Sequence, residues 1–162
     1  TPSGRIELAP PMLLQDLATR GLAQLRRSPQ EIGDGLLLIG RREVRSNNSW
    51  MHNLPLLAKG PFRGVALVHP DDAARAGLAQ GSRARISSAH GSVEAEIEID
   101  PGLMPGVMSL PHGWGHDLPG TRMALAAERP GANLNALLDA TQRDPLSGNA
   151  VLSGQPVTLS PL

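Results

Sequence analysis

The segment that most constrains the fold is a predicted β-hairpin at residues 82–100. Two segments of alternating polarity, 82–88 and 92–100, flank a turn that ends at Gly91, as expected for paired antiparallel strands. The apolar positions of the second segment share one face: Val93, Ala95, Ile97 and Ile99. Glutamates on the opposite face lie across from Arg83 and Arg85, so cross-strand ion pairs account for these charges without a functional role.

The other predicted strands are short and are separated by glycine and proline. Apolar runs predict strands at 36–39, 65–68, 107–110, 150–152 and 156–159. Helices are expected at 12–27, with Gly21 as a weak point or end, and at 122–127; a third begins at Pro70 and stops before Gly77. Asp71 and Asp72 are expected to serve the N-terminus of that third helix. A mainly β protein with short helices follows, and a small closed barrel would leave no exposed strand edge.

The segment 36–53 contains the best candidate site. A buried strand stops at Gly40 and leads into a loop that is rich in hydrogen-bond donors. Arginines suit anionic groups, and asparagines suit ligands that present donors and acceptors side by side. The side chains concerned are Arg41, Arg42, Arg45, Asn47, Asn48 and Asn53. A solvated surface connection would have the same composition, so the pattern alone leaves both interpretations open.

A second polar loop follows the strand at 107–110 and contains His112, Trp114 and His116. The spacing of the two histidines suits zinc on a helix, but the intervening glycines oppose a helix and only Asp117 lies nearby as a carboxylate. No nucleophile elbow, P-loop or dinucleotide-binding glycine motif is present. Trp114 and Trp50 either contribute to a site or cap the core with the indole N–H directed to water.

Composition excludes several functional classes. Fifteen basic and fifteen acidic residues give zero net charge, which argues against nucleic-acid binding. The chain has no cysteine, so it offers no disulfide, thiolate nucleophile or thiolate-held metal. Cysteine usage therefore does not indicate the cellular compartment. The longest apolar runs are far too short to span a membrane. We expect a soluble, cytoplasmic protein, with the periplasm as the alternative.

Two regions are expected along the chain. Residues 1–35 would form an N-terminal arm, a short helix and a polar linker at 28–35 that come from a preceding domain, and residues 36–162 would form the barrel. Thr1 is not a start residue, which suggests a piece of a longer protein.

The order of these pieces resembles the C-terminal molybdopterin-dinucleotide-binding domain of the molybdenum- and tungsten-dependent oxidoreductases. That family includes formate dehydrogenases, periplasmic-type nitrate reductases and dimethyl sulfoxide reductases. The matching segments are LIGR at 38–41, REV at 42–44, HPDDA at 69–73, PGV at 105–107, PHGWG at 111–115, NLN at 133–135 and DPLSG at 144–148. The loop at 45–53 looks most like the formate-dehydrogenase-like branch, and residues 1–8 resemble the segment that follows the catalytic domain.

The resemblance implies a double-psi β-barrel, the aspartate-decarboxylase-like barrel, that contacts molybdopterin guanine dinucleotide. The parent enzyme would carry two copies with molybdenum or tungsten, and any iron–sulfur cluster would lie in the N-terminal part. Leu138 stands where the family often has threonine, which puts that contact in doubt. The implied cofactor-binding residues are Gly40, Arg41, Arg42, Glu43, Arg45, Asn47, Asn48, His112, Trp114 and Asn135.

The same resemblance places the metal ligand in earlier domains, so the fragment should not catalyse a reaction alone. Its partners would be the preceding domains and an electron-transfer subunit. Two alternatives remain open. A double-psi barrel could be a protein-interaction module, which predicts an apolar surface patch. A self-processing decarboxylase would require cleavage at Gly81-Ser82 or Gly91-Ser92.

Overall fold

The computed structural model describes residues 2–25 and 35–162. The strands in this part of the chain are Leu36–Arg41 (β1), Ala66–Val68 (β2), Arg83–Ser87 (β3), Ser92–Ile99 (β4), Val107–Pro111 (β5) and Gln155–Pro161 (β6). The α-helices are Pro11–Asp16 (α1), Leu22–Leu25 (α2), Pro55–Ala58 (α3), Pro70–Arg75 (α4) and Ala124–Ala127 (α5). A π-helical turn, Leu17–Gly21, joins α1 to α2, and a 3-10 turn lies at Leu134–Leu137.

The strands close into a barrel in the order β1-β5-β2-β4-β3-β6. Strand β5 therefore lies between β1 and β2, and strand β2 lies between β4 and β5. The connection from β1 to β2 must cross over β5, and the connection from β4 to β5 must cross over β2. These two interlocked crossovers produce the two parallel pairs, β1 with β5 and β2 with β4. The expected double-psi β-barrel is confirmed.

The core lies inside the barrel and is built from the inward positions of every strand. Alternation along β4 buries Ala95 and Ile97, as the hairpin pattern predicts. Glu94 on the outer face pairs with Arg83 at 3.3 Å and with Arg85 at 3.2 Å. The largest fully buried side chains are Leu38, Val68, Ile86, Ile97, Met108, Leu110, Pro111, Leu134 and Leu137. Apolar side chains, with little aromatic surface, thus fill the barrel.

Some of the expected strands and helices differ in the structure. The prediction of a strand at 150–152 is wrong: Ala150 forms only an isolated β-bridge with Arg143. The helix expected at 12–27 begins at Pro11 and runs to Leu25, with the π-helical turn ending at Gly21; residues 26 and 27 and linker positions 28–34 lie outside the described residues. No helix within 2–25 or 35–162 has the length and apolar character that a bilayer crossing requires.

Helix α4 begins as the sequence predicts but is capped differently. The cap is His69, whose Nδ1 accepts a hydrogen bond from the Asp71 backbone N–H at 3.2 Å. The carboxylate of Asp72 is buried, where it accepts from the backbone N–H of Gly106 at 2.7 Å and pairs with Arg75. Asp72 therefore ties α4 to the turn that leads into β5.

Replacing Asp72 with asparagine tests this tie. Asp72→Asn removes the charge that holds Arg75 and the Gly106 N–H, so it should lower the free energy of unfolding by about 2 kcal/mol in urea denaturation. Asp71→Asn is the matched control, because the Asp71 side chain is 79% exposed; it should cost less than about 0.5 kcal/mol. Equal losses for the two variants would contradict the assigned role.

Candidate functional site

The parallel pairing of β1 with β5 brings two predicted loops to one end of the barrel. Gly40 lies opposite Leu110, and Arg41 lies opposite Pro111. The pairing continues one residue further, because the His112 backbone N–H donates to the Arg41 carbonyl at 3.1 Å. The loop after β1 and the loop after β5 therefore begin side by side.

The imidazole of His112 lies directly across Gly40. A Cβ placed at Gly40 would be 2.7 Å from His112 Nε2 and 3.8 Å from the Leu134 side chain. Such a contact with Nε2 is too short for any side chain, so glycine is required here unless His112 moves. Since Asn135 follows Leu134, three separate segments of the chain meet at this point.

Arg42 and Asn48 complete this group. Arg42 Nη1 donates to Asn48 Oδ1 at 2.9 Å, and both side chains are exposed. Partial burial, and secondarily the charge of Arg42, lower the pKa of His112, so its imidazole is neutral near pH 7 and offers one donor and one acceptor. We call this group the loop face; its members are Gly40, Arg42, Asn48, His112 and Asn135.

Two asparagine side chains at this end have no internal partner. Asn135 is exposed; its backbone N–H donates to Asn133 Oδ1 at 3.1 Å, and its backbone carbonyl accepts from the Leu138 N–H at 3.3 Å. Asn47 is also exposed and precedes Asn48 in the loop. Within residues 2–25 and 35–162, neither the Asn47 nor the Asn135 amide forms a hydrogen bond through its side chain. Both amides are therefore available to a ligand.

The two loops interlock through their backbones. Asn47 and Asn48 adopt positive φ angles of 42° and 63°, a conformation that asparagine tolerates better than most residues. Their turn places the Asn48 carbonyl against Gly113, which has φ 88° and no room for a Cβ. The positions of Asn48 and His112 are thus fixed relative to each other.

Arg41 and Glu43 point along the barrel wall. The Arg41 guanidinium donates to four protein oxygens: Glu43 Oε1 at 3.0 Å and the carbonyls of Ser109 at 3.0 Å, Val65 at 2.8 Å and Arg63 at 3.3 Å. A guanidinium has five N–H donors, so most of this group is already used. Arg41 stabilises the junction of β1 and β5 with the segment before β2, and its contact with a cofactor stays a prediction.

Arg45 and Trp114 lie apart from the loop face, at a second cavity. Arg45 donates to the Leu56 carbonyl at 3.1 Å. Trp114 stacks on the buried His52, with ring centroids 4.0 Å apart, and meets the edge of Phe62 at 5.1 Å. The indole N–H of Trp114 is buried rather than directed to water, whereas Trp50 is 79% exposed. The structure therefore divides the sequence-predicted residues between two places.

His52 is a residue that the sequence analysis missed. Its Nδ1 lies 2.7 Å from His116 Nε2, so one ring donates to the other. The partners are 64 positions apart in the sequence, and no spacing pattern links them. His116 is thereby bonded to His52 instead of joining His112, and residues 2–25 and 35–162 contain no group of three potential metal ligands.

Burial has the largest effect on the pKa of both histidines in this pair. It lowers the pKa of His52, as does the neighbouring His116, and it lowers the pKa of His116. The Gly113 backbone acts in the opposite direction on both, and Asp117 does so on His116. Both rings are therefore neutral near pH 7.

The fold and the loop face define a double-psi β-barrel domain with hydrogen-bonding side chains gathered at one end. Residues 36–154 match the family model described as "Molydopterin dinucleotide binding domain". This match spans more than half of the chain, and the protein belongs to that family.

Individual relatives agree with this assignment. A tetrathionate reductase subunit of Salmonella typhimurium is 37% identical over 116 residues, which cover 61% of this chain and 11% of that protein. The alpha subunit of the NADPH-Fe(3+) oxidoreductase of Geobacter sulfurreducens is 35% identical over 60 residues, covering 37% of this chain and 7% of that protein. The chain thus spans about a tenth of the length of these curated relatives.

A solved structure confirms the fold over the whole length. Acetylene hydratase from Pelobacter acetylenicus superposes with a TM-score of 0.68 at 24% identity. The match covers 100% of this chain and 24% of that chain, and at this identity it shows the common fold alone.

The contact between Gly113 and Asn48 can be tested by adding one methyl group. Gly113→Ala should lower the free energy of unfolding by about 3 kcal/mol, because it combines an unfavourable φ with a clash against the Asn48 carbonyl. Gly120→Ala is the control, since Gly120 has the same φ of 88° and open space around it; it should cost only about 1 kcal/mol. Equal losses in urea denaturation would show that the two loops do not meet there.

Stability should depend on pH through the buried histidines. The pKa values of His52, His112 and His116 are lowered from 6.5 in the folded state, so the unfolded chain binds more protons below about pH 6.5. The free energy of unfolding should therefore fall as pH is lowered from about 6.5 towards the folded-state values, and level off above about 7.5. His112→Gln should reduce this decrease, as measured by denaturation between about pH 8 and 5. Stability that rises on acidification would contradict the assignment.

Proposed function

We propose that this chain is the cofactor-holding C-terminal domain of a molybdenum- or tungsten-dependent oxidoreductase and that the loop face contacts a molybdopterin dinucleotide. The observation that carries this proposal is that Arg42, Asn48 and His112 meet Leu134, the chain neighbour of Asn135, at one end of a barrel whose family binds that cofactor. The chain itself supplies binding and orientation, and the bound cofactor supplies the redox chemistry.

The donors of the loop face suit the parts of such a cofactor. The exposed guanidinium of Arg42 retains most of its N–H donors, which suit a pyrophosphate. The neutral imidazole of His112 and the free amide of Asn135 each donate and accept, as the edges of a pterin or guanine require. Asn47 and Asn48 add amide groups on a turn that the Gly113 contact fixes.

The remaining sequence-predicted residues take different parts in this proposal. Arg41 and Glu43 hold the strand end on which the loop face is built, and the last free N–H of Arg41 is left for the cofactor. Arg45 and Trp114 would contact the cofactor only where the cofactor extends past Gly113 towards the second cavity. Leu138 offers no hydroxyl.

The longer protein is part of the same proposal. Its preceding domains would hold two guanine-containing cofactors, the metal ligand and any iron–sulfur cluster, and an electron-transfer subunit would accept or supply electrons. The loop at 45–53 favours a formate-dehydrogenase-like enzyme, whereas one relative is a subunit of a tetrathionate reductase; a cytoplasmic location is part of the same proposal. Formate oxidation and tetrathionate reduction by the purified full-length protein distinguish these two substrates.

Asn135 provides the direct test of the loop face. In the full-length protein, Asn135→Leu should reduce bound molybdenum or tungsten and acid-released GMP to about a third or less, because a free amide that pairs with the cofactor is replaced by an apolar group. Metal and nucleotide are measured by mass spectrometry on the same sample, and about two GMP per metal are expected in the unaltered protein.

Asn149→Leu is the matched control, since Asn149 is an exposed asparagine in the turn after Asp144. It should keep full metal and GMP content. Unchanged loading in the Asn135 variant would overturn that contact, and a folded full-length protein with neither metal nor nucleotide would overturn the proposed function.

A further inference from the structure

A pair of buried histidines joins the two loops that carry the loop face. His52, on the loop after β1, and His116, on the loop after β5, are each 7% exposed. His52 Nδ1 lies 2.7 Å from His116 Nε2, and the two rings meet edge to face with their centroids 5.0 Å apart. Among the residues that the structure describes, this is the one hydrogen bond between side chains of the two loops. We call these two residues the histidine pair.

His116 is anchored on its own side of the pair. Its backbone N–H donates to the Pro130 carbonyl at 3.3 Å, and the Gly115 N–H donates to the same carbonyl at 2.7 Å. The His116 carbonyl accepts from the Thr121 hydroxyl at 3.1 Å. Since these bonds fix the backbone at 115–116, the ring of His116 is a fixed point to which His52 attaches the loop after β1.

The histidine pair also contacts Gly113, the residue at which the two loops meet. The Gly113 backbone carbonyl lies beside both rings, where it raises the pKa of each against the larger effect of burial. The Cα of Gly113 faces the Asn48 carbonyl, which occupies the place that a Cβ would take. Glycine has the widest range of backbone conformations, so these contacts determine the path of the chain at Gly113.

His112 depends on this path because it directly precedes Gly113. Trp114, on the other side of Gly113, stacks on His52 at 4.0 Å and packs against Gly131, which has no room for a Cβ beside the indole. With Trp114 held in this way, a rotation of the Gly113 peptide would move His112 rather than Trp114. The placement of His112 on the loop face therefore depends on the contacts that fix Gly113.

We propose that the histidine pair is a positioning element for cofactor binding. Its hydrogen bond fixes Gly113 and thereby holds His112 and Asn48 in the arrangement that contacts the dinucleotide. This inference rests on the proposed function of the loop face. Both rings of the pair are buried, so they act through Gly113 and not by touching the cofactor. Groups that bind a ligand from a loop need such support, because a displacement of about 1 Å is enough to weaken their contacts.

The bond within the pair requires one donor and one acceptor at the two facing nitrogens. A neutral imidazole supplies one of each, and burial lowers the pKa of both rings, which keeps them neutral near pH 7. His116→Gln places an amide near the position of Nε2 and so retains the bond. His116→Leu fills similar space but leaves the buried Nδ1 of His52 without a partner.

The rate of cofactor loss from the loaded full-length protein tests the proposal. Protein that holds metal and GMP is incubated below its unfolding temperature, and the GMP-containing material that passes into a filtrate is followed by mass spectrometry. We expect His116→Leu to lose the cofactor about tenfold faster than the unaltered protein, as one broken buried hydrogen bond implies. His116→Gln should stay within about twofold of the unaltered rate.

Asp72→Asn is the control for a general loss of stability. Asp72 accepts from the Gly106 N–H before β5, whereas His112 follows β5, so the two lie at opposite ends of that strand. Asp72→Asn should lower the free energy of unfolding and leave the rate of cofactor loss unchanged. Equal acceleration by Asp72→Asn and His116→Leu would show that the histidine pair contributes only general stability, and would overturn the proposal.

A second pair of variants covers the case in which His116→Leu does not fold. Thr121→Val keeps the shape of an exposed side chain and removes the hydroxyl that bonds the carbonyls of His116 and Leu118, so it should speed cofactor loss about threefold. Thr158→Val, the same change at an exposed position on β6, should have no effect.

The outcomes separate this inference from the proposed function. A loaded protein in which neither His116→Leu nor Thr121→Val speeds cofactor loss would overturn the positioning role alone. Loss from His116→Gln as fast as from His116→Leu would do the same, because it would show that the hydrogen bond is not what matters. A folded full-length protein that holds neither metal nor GMP would overturn the proposed function, and this inference with it.

Discussion

The structure depends above all on the parallel pairing of β1 with β5. Parallel neighbours cannot be joined by a tight turn, so the chain between them must cross other strands, and here that requirement produces the interlocked barrel. The same pairing sends the loops after both strands to one end. His112 can lie across β1 only because the residue beneath it is Gly40. Barrel topology and loop face therefore arise from one set of backbone hydrogen bonds.

Charged groups near this pairing are used in two different ways. Arg41 is half-buried and donates to carbonyls of two other segments, Ser109 on β5 and Arg63 and Val65 before β2, so its charge serves the junction of the strands. Arg42, the first residue after β1, is exposed, and among the described residues its guanidinium bonds to Asn48 alone. The adjacent arginines thus differ: Arg41 is committed to bonds within the barrel, and the exposed Arg42 keeps most of its N–H donors. The burial of an arginine, and not its presence in a motif, distinguishes the two.

Local sequence patterns predicted most of the barrel and part of the site. Alternating polarity predicted the hairpin of β3 and β4, and apolar runs predicted β1, β2 and β5. The position of Pro70 predicted the start of α4. All three signals are local properties of the sequence. The strand expected at 150–152 is absent because an apolar run pairs only when a neighbouring strand is in reach. The capping of α4 by His69 and the pairing of His52 with His116 were not predicted. Both depend on residues that come together only in the folded barrel. The sequence thus located the two loops, and it could not divide their side chains between the loop face and the second cavity.

The two loops link both places physically. The loop after β1 carries Asn48 on the loop face and Arg45 and His52 at the second cavity, and the loop after β5 carries His112 and Trp114 in the same division. Gly113 lies at the crossing of the two loops, against the Asn48 carbonyl. Gly113 is the single residue between His112 and Trp114. A change in the packing of Trp114 would therefore act directly on the contact that positions His112. Since protein interiors are closely packed and resist continuous deformation, the packing around Trp114 and the placement of His112 depend on the same backbone contact.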